Sequence, residues 1–138
     1  MRRSGFTLLE LIVVVIVLGL LAGLVAPQIF GRISEARDVA AKTQMSLIGT
    51  ALDNYRLDNG AYPTTEQGLG ALRERPARGT LPTNWRGPYL RKDVPQDPWG
   101  KPFFYRSPGD RNPSGYDLLT FGRDGKAGGT GEDIDIIG

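Results

Sequence analysis

Two stretches of this 138-residue chain hold charge where charge does chemistry. Glu10 is a single carboxylate inside an otherwise uncharged run over residues 6–26. A lone acid in apolar surroundings is costly and calls for a cationic or polar partner. At the other end, residues 121–136 gather four acids (Asp124, Glu132, Asp133, Asp135) and five glycines (Gly122, Gly125, Gly128, Gly129, Gly131). A hard cation such as calcium takes about six to eight oxygens at flexible geometry, and glycine-rich backbone can turn carbonyls toward an ion that carboxylates partly neutralise. The spacing is not that of an EF-hand, and an ordinary solvated acidic loop has the same composition, so both readings stand at this point.

Other chemistry is poorly supplied. With no histidine and no cysteine, the commonest general base and two common nucleophile and zinc-ligand types are missing. Asp97, Asp110 and Asp117 could in principle pair, but each sits in a turn or strand context that explains it structurally. The chain reads as a non-enzyme. Arg2 and Arg3 account for the whole formal charge of +2, and beyond them basic and acidic residues balance, so charge gives no support to nucleic-acid binding. No disulfide can staple the chain, which leaves room for another kind of clamp.

The elements that must position these groups follow from pattern. As a helix, residues 6–26 measure about 31 Å at roughly 1.5 Å per residue, enough to cross a hydrocarbon core of about 30 Å. Glu10 then lies about one helical turn inside, where an acid costs roughly 2.5–3.5 kcal/mol on insertion scales. The basic leader holds that end on the cytoplasmic side. From the residues alone the segment reads as a membrane anchor, a secretory signal peptide or a specialised assembly segment. Cleavage at its far end fits poorly, because Ala26 is followed by Pro27 and preceded at the −3 position by Leu24. Pro27 lacks a backbone donor and is expected to kink or locally break the helix.

Beyond it the helical pattern continues to about Asp58. Ala41, Met45, Ile48, Leu52 and Tyr55 recur at 4-3-4-3 spacing and form a stripe that packs on a globular domain. Ile33, Ala36, Ala40, Leu47 and Ala51 form a second stripe of smaller residues, suited to contact with other helices. Asn59-Gly60 supplies the stop, with Gly60 in the left-handed conformation. Residues 61–138 are rich in glycine and proline. A short helix is expected near residues 65–72, capped by Thr64 or Thr65, and strands over 102–106, 116–121 and 134–137. The aromatic turns around Trp85, Tyr89 and Trp99 read as plugs over a small sheet.

Gly5-Phe6-Thr7-Leu8-Leu9-Glu10 resembles the processing site of type IV pilin-like proteins, in which a prepilin peptidase cuts after the glycine and methylates the new amine. The resemblance puts the cut between Gly5 and Phe6 and gives Glu10 a partner, the N-methylated amine of Phe6 on the same or a neighbouring subunit. Over nearly the whole chain, Leu57-Asp58-Asn59-Gly60-Ala61-Tyr62-Pro63, Gly87-Pro88-Tyr89-Leu90, Asp97-Pro98-Trp99-Gly100, Tyr105-Arg106-Ser107-Pro108-Gly109 and Gly122-Arg123-Asp124-Gly125 are similar in order and spacing to major pseudopilins of type II secretion systems. That resemblance implies an α+β pilin-like fold: a long N-terminal transmembrane helix on a small antiparallel sheet. Its parts would be a removed leader (1–5), a transmembrane and assembly segment including Pro27 (6–28), the soluble half of the helix (29–60) and a periplasmic α/β domain (61–138). It implies calcium in the C-terminal loop, held by Asp124, Asp135 and Asp133 with the backbone oxygens of Phe121 and Lys126. It implies a single-pass inner-membrane protein that polymerises into a helical periplasmic filament with minor pseudopilins and an inner-membrane assembly platform. A type IV major pilin, a minor pseudopilin and a membrane-tethered periplasmic binding module are the alternatives.

Overall fold

The structure is a computed structural model that describes residues 4–138; Arg2 and Arg3 of the leader lie outside the described residues. Thr7 starts the first element. Its hydroxyl accepts the Glu10 N–H at 3.2 Å and its carbonyl accepts the Leu11 N–H at 3.2 Å, satisfying donors that a helix start leaves orphaned. Helix α1 then runs Leu8–Asn59. Pro27 lies inside it and does not break it: proline removes only its own donor, and the neighbouring i→i−4 bonds carry the helix past the gap. The helix stops where expected, with Gly60 at φ 83° and its N–H on the Arg56 carbonyl at 2.7 Å.

The chain divides into two compact units, one ending at Ala36 and the other spanning Arg37–Gly138. In the first unit Ile29, Phe30 and Ile33 are exposed like the apolar run before them. In the second, the 4-3-4-3 stripe is buried as its spacing predicts, with Ile48 and Leu52 at 0% exposure. Ala51, assigned by spacing to the second stripe, belongs to this core instead, while Ala36, Ala40 and Leu47 stay exposed. A small side chain three residues from Ile48 and four from Tyr55 lies at the edge of the same face, and the domain reaches around to cover it. Gly49 serves a close approach: a Cβ there would stand 3.0 Å from the Tyr116 hydroxyl. On exposed positions of the helix, Thr43 and Thr50 donate their hydroxyls to the carbonyls of Val39 and Ser46, at 2.9 and 3.0 Å.

After α1, Thr64 and Gln67 cap each other reciprocally. The Thr64 hydroxyl accepts the Gln67 N–H at 3.2 Å, and the Gln67 side-chain oxygen accepts the Thr64 N–H at 3.0 Å. This opens a turn that tightens into a 3₁₀ helix over Leu69–Leu72, shorter than the expected helix. The Trp85 indole donates to the Ala71 carbonyl at 2.9 Å, and Trp85, Tyr89 and Trp99 pack against the core as plugs. The sheet has three strands, β1 Phe104–Arg106, β2 Asp117–Thr120 and β3 Ile136–Ile137, antiparallel in the order β1-β2-β3. Register puts Tyr105 opposite Leu118 and Thr120 opposite Ile136, so these four side chains share the buried face.

With so little sheet, stability rests on the α1 stripe. Leu52→Ala is expected to cost about 2–5 kcal/mol, the usual range for emptying a buried leucine site. Leu57→Ala, at a side chain 82% exposed on the same helix, should change stability by no more than about 0.5 kcal/mol. Urea melts of both variants against the parent chain measure the contrast.

Candidate functional site

At the amino-terminal end, Gly5 and Phe6 precede α1, and Phe6 is 83% exposed. A Cβ on Gly5 would meet nothing within 4 Å, so the chain's own packing does not require glycine there. Glu10 is exposed in the first turn of α1, and among the described residues no basic side chain is paired with it. One helix among the described residues, α1, is long and apolar enough to cross a membrane; its most apolar 18-residue window has a mean hydropathy of 3.0 and is 0% buried. That exposure separates it from the core helix of a globular protein, whose apolar window is covered. Pro27 lies past this run, also exposed.

The acidic loop does not gather its carboxylates around one point. Among the described residues no group of three or more His, Cys, Asp or Glu side chains is disposed to hold a metal. Asp124 Oδ1 accepts the Lys126 N–H at 3.0 Å, fixing the turn that carries the Lys126 carbonyl. Asp135 Oδ2 accepts the Gly128 N–H at 2.9 Å, while its Oδ1 is buried with no hydrogen-bond partner. A buried, unpaired carboxylate oxygen is costly, and a cation is one group that would satisfy it. Asp133 is engaged by a basic side chain of the same loop. Both its oxygens are held by Arg123, from Nε and from the terminal Nη2, each at 2.9 Å. This hydrogen-bonded guanidinium keeps the Asp133 carboxyl below the ordinary aspartate range and raises Arg123 in turn. Phe121, whose backbone oxygen is an expected ligand, turns its ring edge-on to Phe104 at 5.6 Å.

Gly122-Arg123-Asp124-Gly125 is legible as a motif, but the partners of the Arg123 side chain are not. Arg123 also reaches Glu132 Oε2 at 3.3 Å, Arg37 reaches Glu132 Oε1 at 3.2 Å, and the Lys101 ammonium donates to the Arg123 carbonyl at 2.6 Å. Arg37 and Glu132 are 95 positions apart, so no local spacing announces the pair.

The three acids weighed for catalysis are structural in their contacts. Asp97 is 5% exposed; its Oδ1 accepts the Trp99 and Lys101 N–H groups at 3.0 and 2.8 Å, and its Oδ2 accepts the Thr120 hydroxyl at 2.5 Å. Asp110 pairs with Arg106 at 2.5 Å. Asp117 accepts N–H groups from Asp110, Arg111 and Asn112 at 2.7, 3.1 and 3.2 Å, organising the turn between β1 and β2.

Residues 28–138 match the family described as type II secretion system (T2SS), protein G, and residues 1–26 match the prokaryotic N-terminal methylation motif. The chain is 47% identical over 135 residues to a type II secretion system core protein G of Pseudomonas aeruginosa, covering 98% of this chain and 94% of the relative. It is 45% identical over 136 residues to the core protein G of Vibrio cholerae, covering 98% and 90%. Among solved structures, the major pseudopilin from the type 2 secretion system of enterohaemorrhagic Escherichia coli matches with a TM-score of 0.65 at 37% identity, over 77% of this chain and 90% of that one.

The Asp117 turn has a pH signature. Backbone hydrogen bonds, the one from Arg111 foremost, hold its carboxyl below the ordinary aspartate value. A depressed folded pKa means that the unfolded chain binds the proton more readily, so the contribution is full above the unfolded pKa and is lost as pH falls through the folded one. Asp117→Asn should therefore be less stable than the parent chain at about pH 7, with the gap closing toward about pH 3. Denaturant melts across that range would show a pH-independent gap if the carboxylate charge were not involved.

Proposed function

This chain belongs to the type II secretion system protein G family, and from that membership we propose that it is a non-enzymatic structural subunit that polymerises into a periplasmic pseudopilus and drives export of folded proteins across the outer membrane. The observation that carries this reading is the juxtaposition at the start of α1: a glycine that internal packing does not demand, then Phe6, then an uncovered apolar helix bearing Glu10 in its first turn. Such a surface suits a chain that waits in a bilayer and later packs against copies of itself. Prepilin peptidase cutting between Gly5 and Phe6 would remove both leader arginines and leave an N-methylated amine close to Glu10. In the inner membrane, with one span and the C-terminal domain in the periplasm, the subunit is held until it is extracted by the assembly platform. Head-to-tail addition, with Glu10 matched to a Phe6 amine, then generates a helix because such contacts do not close. Minor pseudopilins complete the filament.

The loop supports a calcium clamp in place of a disulfide. Asp135, with its unpaired buried oxygen, and Asp124 are the carboxylates suited to the ion, with the backbone oxygens of Phe121 and Lys126 as further hard donors. When bound, calcium would neutralise these acids and crosslink the loop. Asp133 serves as Arg123's counter-ion instead.

Two experiments test this reading. Glu10→Ala should still insert and be processed, since losing the acid removes a desolvation cost, yet sheared-filament yield and secretion should collapse. A wild-type yield from that variant would remove Glu10 from assembly. For the clamp, a ligand that binds only the folded state adds about 2.7 kcal/mol at a hundredfold excess over Kd. The soluble fragment from about Ile29 onward should melt lower in chelator and recover with calcium more than with magnesium, and both Asp124→Ala and Asp135→Ala should lose that response. Identical melts in calcium and chelator would remove the ion from the loop.

A further inference from the structure

The 122–135 loop is costly to close. All five of its glycines hold positive φ, between 61° and 98°, and no regular ladder spans it. Its two limbs nevertheless approach closely at one place. The Arg123 N–H donates to the Glu132 carbonyl at 2.8 Å, and a Cβ on Gly122 would stand 2.7 Å from that same oxygen. Around this rung the Arg123 side chain folds back across ten positions of sequence to grip both oxygens of Asp133, and also reaches Glu132. A two-pronged guanidinium–carboxylate contact is the strongest and most directional of the ordinary ion pairs. The Lys101 ammonium holds the Arg123 carbonyl from outside the loop.

Glu132 extends the arrangement to the helix. One oxygen takes Arg123, the other takes Arg37 of α1. The chain beyond this loop is short and lightly held: β3 has two residues, Ile136 enters the core, and the Gly138 N–H donates to the Leu118 carbonyl at 2.9 Å. A two-residue edge strand has little stability of its own, so its hold depends on how its preceding limb is anchored.

We propose that Arg123 is a clasp that closes the 122–135 loop without any metal and, through Glu132 and Arg37, straps the C-terminal limb to α1. The clasp and the proposed ion use different carboxylates, so each can act without the other.

Hydrogen exchange read by mass spectrometry on the full-length chain in detergent micelles, with chelator present throughout, tests the clasp. The parent chain should keep slow amides at Arg123 and over residues 136–138. Arg123→Ala should accelerate exchange across residues 123–138 by about tenfold, while β1 and the α1 core around Ile48 and Leu52 are unchanged. Arg123→Lys keeps the charge but loses the fork, and should fall between the two. Glu132→Gln, which preserves shape, should speed the same segment several-fold and serves if Arg123→Ala fails to fold. Unaltered exchange in Arg123→Ala or Glu132→Gln, or a parent segment already unprotected in chelator, overturns the proposal.

Discussion

Burial of one stripe of α1 underlies the rest of the Arg37–Gly138 unit. Ala41, Met45, Ile48, Ala51, Leu52 and Tyr55 are the apolar floor on which Leu69, Leu72, Tyr105, Leu118 and Ile136 close. Three short strands could not hold a sheet unaided, and a 3₁₀ turn has no stability of its own. Each is present because the helix offers it a surface. The position of every loop, including the acidic one, is inherited from that contact: Glu132 meets Arg37 and Ile136 reaches the core only while the stripe stays covered.

Where regular structure is thin, single polar side chains take over its work. Asp97 ties two turn amides and Thr120, Asp117 gathers three amides, and Gln67 donates to the carbonyls of Arg78 and Thr80 at 2.9 and 2.8 Å while also capping its own turn. Asn59 does the same at the end of α1, donating to the Tyr55 carbonyl and accepting the Asn84 N–H. Each side chain supplies several bonds from one residue, which suits a domain whose backbone has few neighbours of its own.

Periodicity and turn chemistry were legible in the sequence because they are local. The 4-3-4-3 stripe, the Gly60 stop, the three strands and the aromatic plugs follow from spacing and residue type. Pro27 was legible as a missing donor but not as a survivable one, since that depends on the bonds around it. Ala51 fell to the wrong face because small residues mark an edge as readily as a contact. In the acidic loop, composition announced charge but not its partners. Asp133 belongs to Arg123, and Glu132 to two arginines of which one is 95 positions away, and such pairings are decided by the closed fold.

Thr43 and Thr50 change how their stretch of α1 meets water. Their hydroxyls are already satisfied within their own helix, so what they turn outward beside Val39 and Leu47 is mostly methyl. Stripping water from a free hydroxyl costs free energy unless a new partner is found, whereas these oxygens keep theirs. At these two positions α1 is polar by composition and nearly aliphatic by behaviour, so that water can leave them at small cost.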